Sequence, residues 1–287
     1  MADILQPLLN GILLGGLYAI IAIGLSTIMG IVKVMNFAHG DMMILSSYLS
    51  LVFITWLGLS PYWSFIAVVP AMYIIGYFFQ RSLLNRVLGK EMDPSLIVAF
   101  GASIILQNIL LLAFTPDARA LSTDLGFKTI HVSGDLRIPV NYLMDFLISL
   151  AVIFFLYTFF QRSYLGRAIR AASDDEVAAR LMGVNTRIIY AHAMGIASMT
   201  AGIAGILVGM TFTFYPHTGS QWLFVAFGVA IIAGLGSMKG TFVAGIILAV
   251  AQLFGGHFLG PGYQMISGHV VLLIVLLVKP KGIFGTV

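Results

Sequence analysis

Apolar stretches of near-membrane length, separated by short polar or glycine- and proline-bearing links, fill most of the chain. Residues 8–32 form the first, about the length a helix needs to cross a bilayer, and Lys33 closes it. A polar interruption, VMNFAHGDMM, precedes the second apolar run, residues 42–57, which ends at Gly58 and Pro61. Residues 62–79 form a third span with Pro70 inside it, so a kink is expected there. Arg81, Arg86 and Lys90 follow, then a fourth span at 95–114 containing Gln107 and Asn108. After a mixed polar segment the pattern resumes at 142–160, 188–214, 222–234, 241–258 and 264–278. Eight of the nine prolines fall at the edges of these segments, which supports the division.

Small residues recur at fourfold spacing in two of the spans: Gly11, Gly15 and Ala19 in the first, and Ala197, Ala201, Gly205 and Gly209 in the sixth. Such stripes let a neighbouring helix approach closely in lipid. Counting spans yields nine if the short segment 222–234 crosses, or eight if it re-enters on the same side. The basic loops favour nine, with the N-terminus outside and Lys33, the Arg81 loop, the arginine-rich loop and Lys279/Lys281 inside. Within residues 115–141, which mix Asp117, Asp124 and Asp135 with Arg119, Lys128 and Arg137, TIHVSGDLRIP alternates around Ser133-Gly134-Asp135 and predicts an outer-face hairpin. A faint echo relates Gly30, Asn36, Phe37 and Gly40 to Gly236, Thr241, Phe242 and Gly245, the kind of matching interruption found along transporter substrate paths.

The exception to the apolar pattern is residues 162–187, RSYLGRAIRAASDDEVAARLMGVNTR. It holds eight charges in a chain with 15 basic and 11 acidic residues in all. At the bilayer centre each would cost roughly 3 kcal/mol, so the segment lies outside the membrane, and its arginines place it in the cytoplasm. Helix formers run from Arg170 to Met182, with Ala171, Ala178, Leu181 and Met182 able to share a face. Ser173 or Asp174 is the expected cap, Asp175 and Glu176 fill the first turn, and Gly183 with Asn185 supplies a stop. A link between spans needs only a few residues. The segment is therefore either a solvated loop enforcing topology or a docking helix for a soluble partner.

With 60% hydrophobic and 9% charged residues, the chain is an all-α polytopic membrane protein, treated as one domain over residues 1–287. It has no cysteine, hence neither disulfides nor thiolate metal sites. The first eleven residues lack a basic region and a small-residue cleavage site, so the first span is expected to be retained. The +4 balance reflects inner-face basic residues and does not point to nucleic acid.

Candidate chemistry is sparse. No HExxH, GxSxG or GxxxxGK[ST] occurs, so the chain itself cannot hydrolyse ATP. An intramembrane aspartyl protease would need a carboxylate to pair with Asp41, and only Asp145, near a span end, is available. In Asn36-Phe37-Ala38-His39-Gly40-Asp41, Asn36, His39 and Gly40 can share one helical face and Asp41 can cap the next helix. These residues either knot helices together or line a path. Gln107 with Asn108, and Gln252 with His257, read as interhelical hydrogen-bonding groups, His192 and His269 as packing positions, His217 as an outer-loop residue. Ion-coupled carriers usually keep ionisable groups in mid-membrane, and these spans have few, which favours an energy-supplying partner at the arginine-rich loop. The competing classes are a gradient-driven carrier or channel, which would transport alone, and a membrane scaffold, which would tolerate apolar replacements at Asn36 and His39.

Four stretches resemble one family in register along the chain. GLYAIIAIGLSTIMGIVKVMNFAHGDMMILSSYLS resembles the N-terminal signature of LivH-type permeases, membrane subunits of ABC importers for branched-chain amino acids. GRAIRAASDDEVAARLMGVN resembles their cytoplasmic coupling segment, IIAGLGSMKGTFVAGIILAVAQ a third recurring stretch, and LLIVLLVKPKGIFG their C-terminus. Family members often carry Glu after His-Gly, where this chain has Asp41, which keeps the charge. The resemblance implies a LivH/ribose-permease-type fold of about eight to nine spans in the cytoplasmic membrane of a bacterium or archaeon. It implies a second related permease or a copy of this one, two cytoplasmic ATPases carrying ATP and Mg, and an external solute-binding protein. No cofactor is expected on this chain. By match to the family's segments, Arg170, Asp174, Glu176 and Gly183 are the expected coupling residues, and Asn36, Phe37, His39 and Asp41 the expected path lining. Related permeases also carry urea, short amides and aromatic acids. Sparse charge in the spans fits a low-affinity, mostly apolar path, with selectivity left to the binding protein.

Overall fold

The computed structural model describes residues 2–87, 92–123, 126, 128–133 and 136–285. Lys90, Asp124, Gly134 and Asp135 lie outside the described residues. Eleven helices are present among the described residues: α1 (Ala2–Ile31), α2 (His39–Leu57), α3 (Pro61–Ser82), α4 (Met92–Phe114), α5 (Val140–Arg162), α6 (Tyr164–Asp174), α7 (Glu176–Leu181), α8 (Thr186–Thr211), α9 (Gly219–Ala233), α10 (Met238–Phe258) and α11 (Gln264–Val278). Eight are long and apolar enough to cross a membrane. Two strands, β1 (Thr129–Ser133) and β2 (Leu136–Pro139), pair antiparallel with Thr129 opposite Pro139 and His131 opposite Arg137, so the predicted hairpin is present. The first helix begins at Ala2 rather than residue 8, which places Pro7 inside α1. Pro70 sits within an unbroken α3.

The polar ends sort into two faces. Gln6 near the start of α1 donates to Arg137 O (2.6 Å) and accepts from Arg137 N (2.8 Å), fixing the hairpin to the N-terminal end of α1. At the opposite end Asn85 Nδ2 donates to Arg187 O (3.0 Å), joining the Arg81 loop to the arginine-rich segment. The C-terminal residues reach the same end, where Phe284 N donates to Ala233 O at 3.0 Å. All the basic loops expected on one side are thus on one side, here called the arginine face; the hairpin marks the far face.

α1 and α8 are almost wholly buried and form the centre. Their small-residue stripes explain how. A Cβ on Gly15 would fall 2.5 Å from Ile246 Cα of α10, and one on Gly245 2.6 Å from Gly15 O. On α8, a Cβ at Gly205 would fall 2.0 Å from Met43 O of α2. Side chains there would hold the helices apart and forfeit the dispersion contacts that bind helices in lipid. The packing has an internal order: α1 lies on α10 as α8 lies on α3, and α9 lies on α1 as α2 lies on α8. The chain therefore contains two inverted repeats, α1–α4 and α8–α11, a transporter arrangement.

In this symmetry residues 32–38, between α1 and α2, correspond to residues 212–218, between α8 and α9. The sequence echo paired Gly30 with Gly236, and that pairing is corrected: the two are not equivalent but touch, a Cβ on Gly30 falling 2.5 Å from Gly236 Cα. α9, with 15 residues, rises only about 22 Å, short of the roughly 30 Å hydrocarbon core. With the residues before it, it nevertheless joins the two faces. Phe214, just before it, exchanges backbone hydrogen bonds with Arg119 on the far face (both 2.8 Å), and Gly236, just after it, lies at the arginine face. The chain thus passes between the two faces nine times, eight of these passages by helices long and apolar enough to cross a membrane.

Candidate functional site

The arginine-rich segment is two helices, not the single one expected. Asp175 adopts an extended conformation (φ −146°, ψ 105°) that ends α6 and starts α7. Its side chain accepts hydrogen bonds from Val177 N and Ala178 N, both 2.9 Å. The cap is therefore Asp175 rather than Ser173 or Asp174. Only an extended residue can turn its carboxylate onto the free N–H groups of the next turn. Ser173, released from that role, donates to Gly30 O (2.9 Å) at the end of α1. Gly183 stops α7 in the left-handed region at φ 82°, as expected, and Asn185 instead caps α8, accepting from Ile188 N at 3.3 Å.

The four coupling candidates do not form one cluster. Glu176 pairs with Arg180 and accepts from Thr186 Oγ1 (3.2 Å), while Arg180 Nε donates to Thr186 Oγ1 (2.9 Å). This triangle binds α7 to the start of α8. Asp174 is exposed beside it. Arg170 stands apart on α6, where its guanidinium donates to Gln161 (3.3 Å) and lines a cavity of about 370 Å³ with Ser173, Ser237 and Lys239. The expected shared face also divides at the break. Val177, Leu181 and Met182 crown α7, and Leu181 and Met182 are 83% and 84% exposed. An apolar crown of that exposure, on a charged segment outside the apolar core, is what a protein partner would cover.

The second candidate group lies where α2 begins. Asn36 is not on a helix, so the proposed shared face of Asn36, His39 and Gly40 does not exist. Its Oδ1 accepts from Ala38 N (3.1 Å) in a turn before α2, and its amide points at the sulfurs of Met42 and Met194. Asp41 does not cap α2 either. It lies inside the first turn, where a carboxyl group is favoured by the helix dipole, and crosses to α4. There it accepts from Ser103 Oγ (2.5 Å) and Gln107 Nε2 (3.0 Å). His39 Nε2 bonds Ile21 O (2.9 Å) of α1. Phe37 packs between Phe100 of α4 and Phe227 of α9.

Ser103 is the middle residue of α4, so Asp41 sits at mid-depth. Gly219, the first residue of α9, is there as well: a Cβ on it would fall 2.1 Å from Asp41 Oδ1, and one on Gly40 would fall 2.0 Å from Gly219 O. The starts of α2 and α9, equivalent in the two repeats, meet at the centre of the molecule. Asn36, His39 and Asp41 are buried polar groups and Phe37 is half-buried beside them, so the four path candidates form a packed node.

Gln107 bridges α4 to α2 as expected, and Ser103 and Gly219, not expected from the sequence, complete the group. Ser103 and Gln107 lie four apart in an otherwise apolar span, a visible sign of one polar face. Asn108 turns to Ile104 O of its own helix (2.8 Å) and joins no other helix among the described residues. Gln252 does bridge helices, accepting from Tyr18 OH at 2.6 Å. His192 is satisfied by Tyr73 OH (2.6 Å), while His269 bonds Met265 O (2.7 Å) on an exposed face. Asp145 accepts from Thr211 Oγ1 (2.7 Å), and Asp41 has hydroxyl and amide partners, so neither carboxyl is hydrogen-bonded to the other.

Residues 8–278 match the family model described as the permease component of a branched-chain amino acid transport system. The chain is 32% identical to the high-affinity branched-chain amino acid transport system permease protein BraD of Pseudomonas aeruginosa, over 98% of this chain and 95% of that protein. It is 31% identical to the permease protein LivH of Escherichia coli, with the same coverage. To LivM, another permease protein of the Escherichia coli system, it is 24% identical over 93% of this chain and 67% of LivM. No solved structure matches. A polytopic fold of two inverted repeats and a match along nearly its whole length lead to one conclusion: this chain belongs to the family of permease components of branched-chain amino acid transport systems.

Proposed function

We propose that this chain forms the solute path of an ATP-driven importer for branched-chain amino acids or a related small solute, with α6 and α7 as the docking element for cytoplasmic ATPases. In this reading the arginine face is cytoplasmic and the membrane is the inner membrane of its cell. A second permease, homologous or identical, completes the path, and an external binding protein delivers solute at the far face. ATP and Mg act on the partner ATPases, and this chain contributes no catalytic group.

The observation that carries the reading is the way α7 is held. A six-residue helix is too short to persist alone. Here the Asp175 cap, the Glu176–Arg180–Thr186 triangle and the Gly183 stop fix it with its apolar crown outward. A loop that only enforces topology needs none of this. The element also has a physical connection inward. Ser173 of α6 holds the end of α1 at Gly30, and Gly30 touches Gly236, the link between α9 and α10. Movement of α6–α7 under a closing ATPase pair would press on the lower end of α9, whose upper end meets Asp41 at mid-depth. The four coupling candidates then have separate roles: Glu176 and Gly183 shape α7, Asp174 offers a free-standing charge, and Arg170 faces the junction that moves. Asn36, Phe37, His39 and Asp41 act as the node about which the two repeats shift.

The test is ATP hydrolysis and solute uptake by the co-purified complex, comparing wild type with Leu181→Asp and Asp174→Ala. Leu181 is exposed, so its replacement leaves the permease folded. Loss of ATPase binding and of uptake in Leu181→Asp, with a smaller loss in Asp174→Ala, supports docking. Normal uptake by both, or uptake by the permease alone under an ion gradient, overturns the reading in favour of a gradient-driven carrier.

A further inference from the structure

A cavity of about 390 Å³ opens on the far face between α1, α9, α10 and α11, within the roughly 300–1,000 Å³ typical of small-molecule sites. It reaches deep. Tyr18 lies 13 positions before the arginine-face end of α1 and Gln252 lies 14 positions after the start of α10, so both stand roughly 20 Å above that face. These two residues line the cavity well below its mouth and are bonded to each other: Tyr18 OH donates to Gln252 Oε1 at 2.6 Å.

In the structure the Gln252 amide oxygen faces the Tyr18 hydroxyl. The phenol donates to it, and the NH2 end is directed away from Tyr18. Gln252 is 3% exposed and lines the cavity, yet its Nε2 donates to no described residue. On one side it rests on α11, where a Cβ on Gly268 would fall 2.8 Å from Nε2. With no protein acceptor among the described residues, this donor is available to a molecule in the cavity, and an acceptor there would replace water on it.

The rest of the lining is aromatic and uncharged. Trp222 of α9 stands edge-on to Tyr18 (6.5 Å between centroids) and tilts against Phe212 (5.3 Å). Tyr215, Thr218, Gln221 and Gln264 ring the mouth. No lining residue carries a formal charge. A net charge entering would lose hydration without meeting a counter-ion, whereas a neutral molecule or a zwitterion can place its polar end on amides, hydroxyls and aromatic faces.

We propose that this cavity is a solute site. It takes a small neutral or zwitterionic molecule through a carboxylate or amide oxygen seated on Gln252 Nε2–H, with the molecule's aliphatic body against Trp222 and Phe212. Tyr18 positions the amide, and the absence of charge rejects solutes of net charge. This rests on the reading of the chain as a solute path, and it moves first contact with solute from the packed node around Asp41 to a cavity within one repeat interface.

Trp222 makes the site observable. The other two tryptophans, Trp56 and Trp63, are 84% and 56% exposed, and Trp56→Phe with Trp63→Phe leaves Trp222 as the sole reporter. The purified permease is titrated with leucine, isobutyramide, lysine and glutamate while tryptophan emission is followed. The expected result is a saturable change with leucine and isobutyramide and none with lysine or glutamate. Gln252→Leu weakens the response about tenfold, the scale of one lost hydrogen bond, and Tyr18→Phe weakens it less. If Gln252→Leu does not fold, Gln252→Glu replaces it: similar in size, it repels the leucine carboxylate but still accepts the isobutyramide N–H, so the leucine response alone is lost. No saturable response, an equal response to lysine, or an unaltered response in the Gln252 variant overturns the proposal. ATP-driven uptake by the assembled complex separates the two readings. A Trp222 response without such uptake keeps the site and sinks the importer, and uptake without a response sinks the site alone.

Discussion

Asp41 is the clearest case of a residue whose chemistry is visible in the sequence and whose role is not. A carboxyl group after His39-Gly40 between two apolar runs is conspicuous, but its neighbours in sequence suggest a cap. Its actual partners, Ser103 and Gln107, lie more than sixty positions away and tie α4 to α2 at mid-depth. α4 is otherwise lightly held, packing mainly on α2 and the turn at Leu84–Arg86. Removing Asp41 therefore leaves the buried Ser103 hydroxyl and the half-buried Gln107 amide without their shared acceptor, at about 1–3 kcal/mol. We expect Asp41→Ala to lower the thermal midpoint of the purified permease by several degrees. Asp41→Asn should stay near wild type, because its amide can accept from Ser103 and donate to a reoriented Gln107 oxygen. Equal midpoints for the two variants would show that the node does not hold α4.

At the scale of elements, α6 and α7 show how one residue divides a helix. Sequence propensity runs unbroken from Arg170 to Met182, and nothing in it places the break at Asp175. The break is stabilised by what each half gains: Ser173 reaches Gly30 of α1, and Glu176 reaches Thr186 of α8. One straight helix would not bring both side chains to those partners. Since Asp175 provides the first two hydrogen bonds of α7, Asp175→Ala should cost about 1 kcal/mol, nearly all of it local. Hydrogen exchange is the measurement: faster exchange at residues 177–182, with the amides of α8 unchanged. If α8 exchanged faster too, α7 would be part of the membrane body and not an appended docking element. The segment's position outside the apolar core, its helical character and its glycine stop were legible from charge and composition alone.

For the whole molecule the decisive fact is the inverted repeat. It places the starts of α2 and α9 together at mid-depth, so that α9 is a half-length helix running from there to the arginine face. The chain has no cysteine, so single introduced cysteines report sidedness cleanly. A cysteine at Thr213 should react with an impermeant thiol reagent only from the far face, and one at Leu235 only from the arginine face. Labelling of both from the same side would make residues 212–235 a re-entrant loop and reduce the crossings to eight.

Composition and hydropathy by themselves determined that the chain is a polytopic helical membrane protein, where most spans lie, which loops share a face, and where glycine stripes permit close packing. These are properties of local sequence, because burying a charge or a free backbone group in hydrocarbon costs more than any tertiary contact returns. Tertiary structure alone decided which polar residues meet. Asp41 with Ser103 and Gln107, Tyr18 with Gln252, and Gly30 with Gly236 are contacts between distant segments. The echo between Gly30 and Gly236 was misread for the same reason: similarity along a chain does not distinguish two positions related by symmetry from two that touch. In the membrane the hydrophobic effect does not choose between helix partners, so pairing is settled by shape and by the few hydrogen bonds available. Those depend on the three-dimensional register of helices from about sixty to more than two hundred residues apart in the chain.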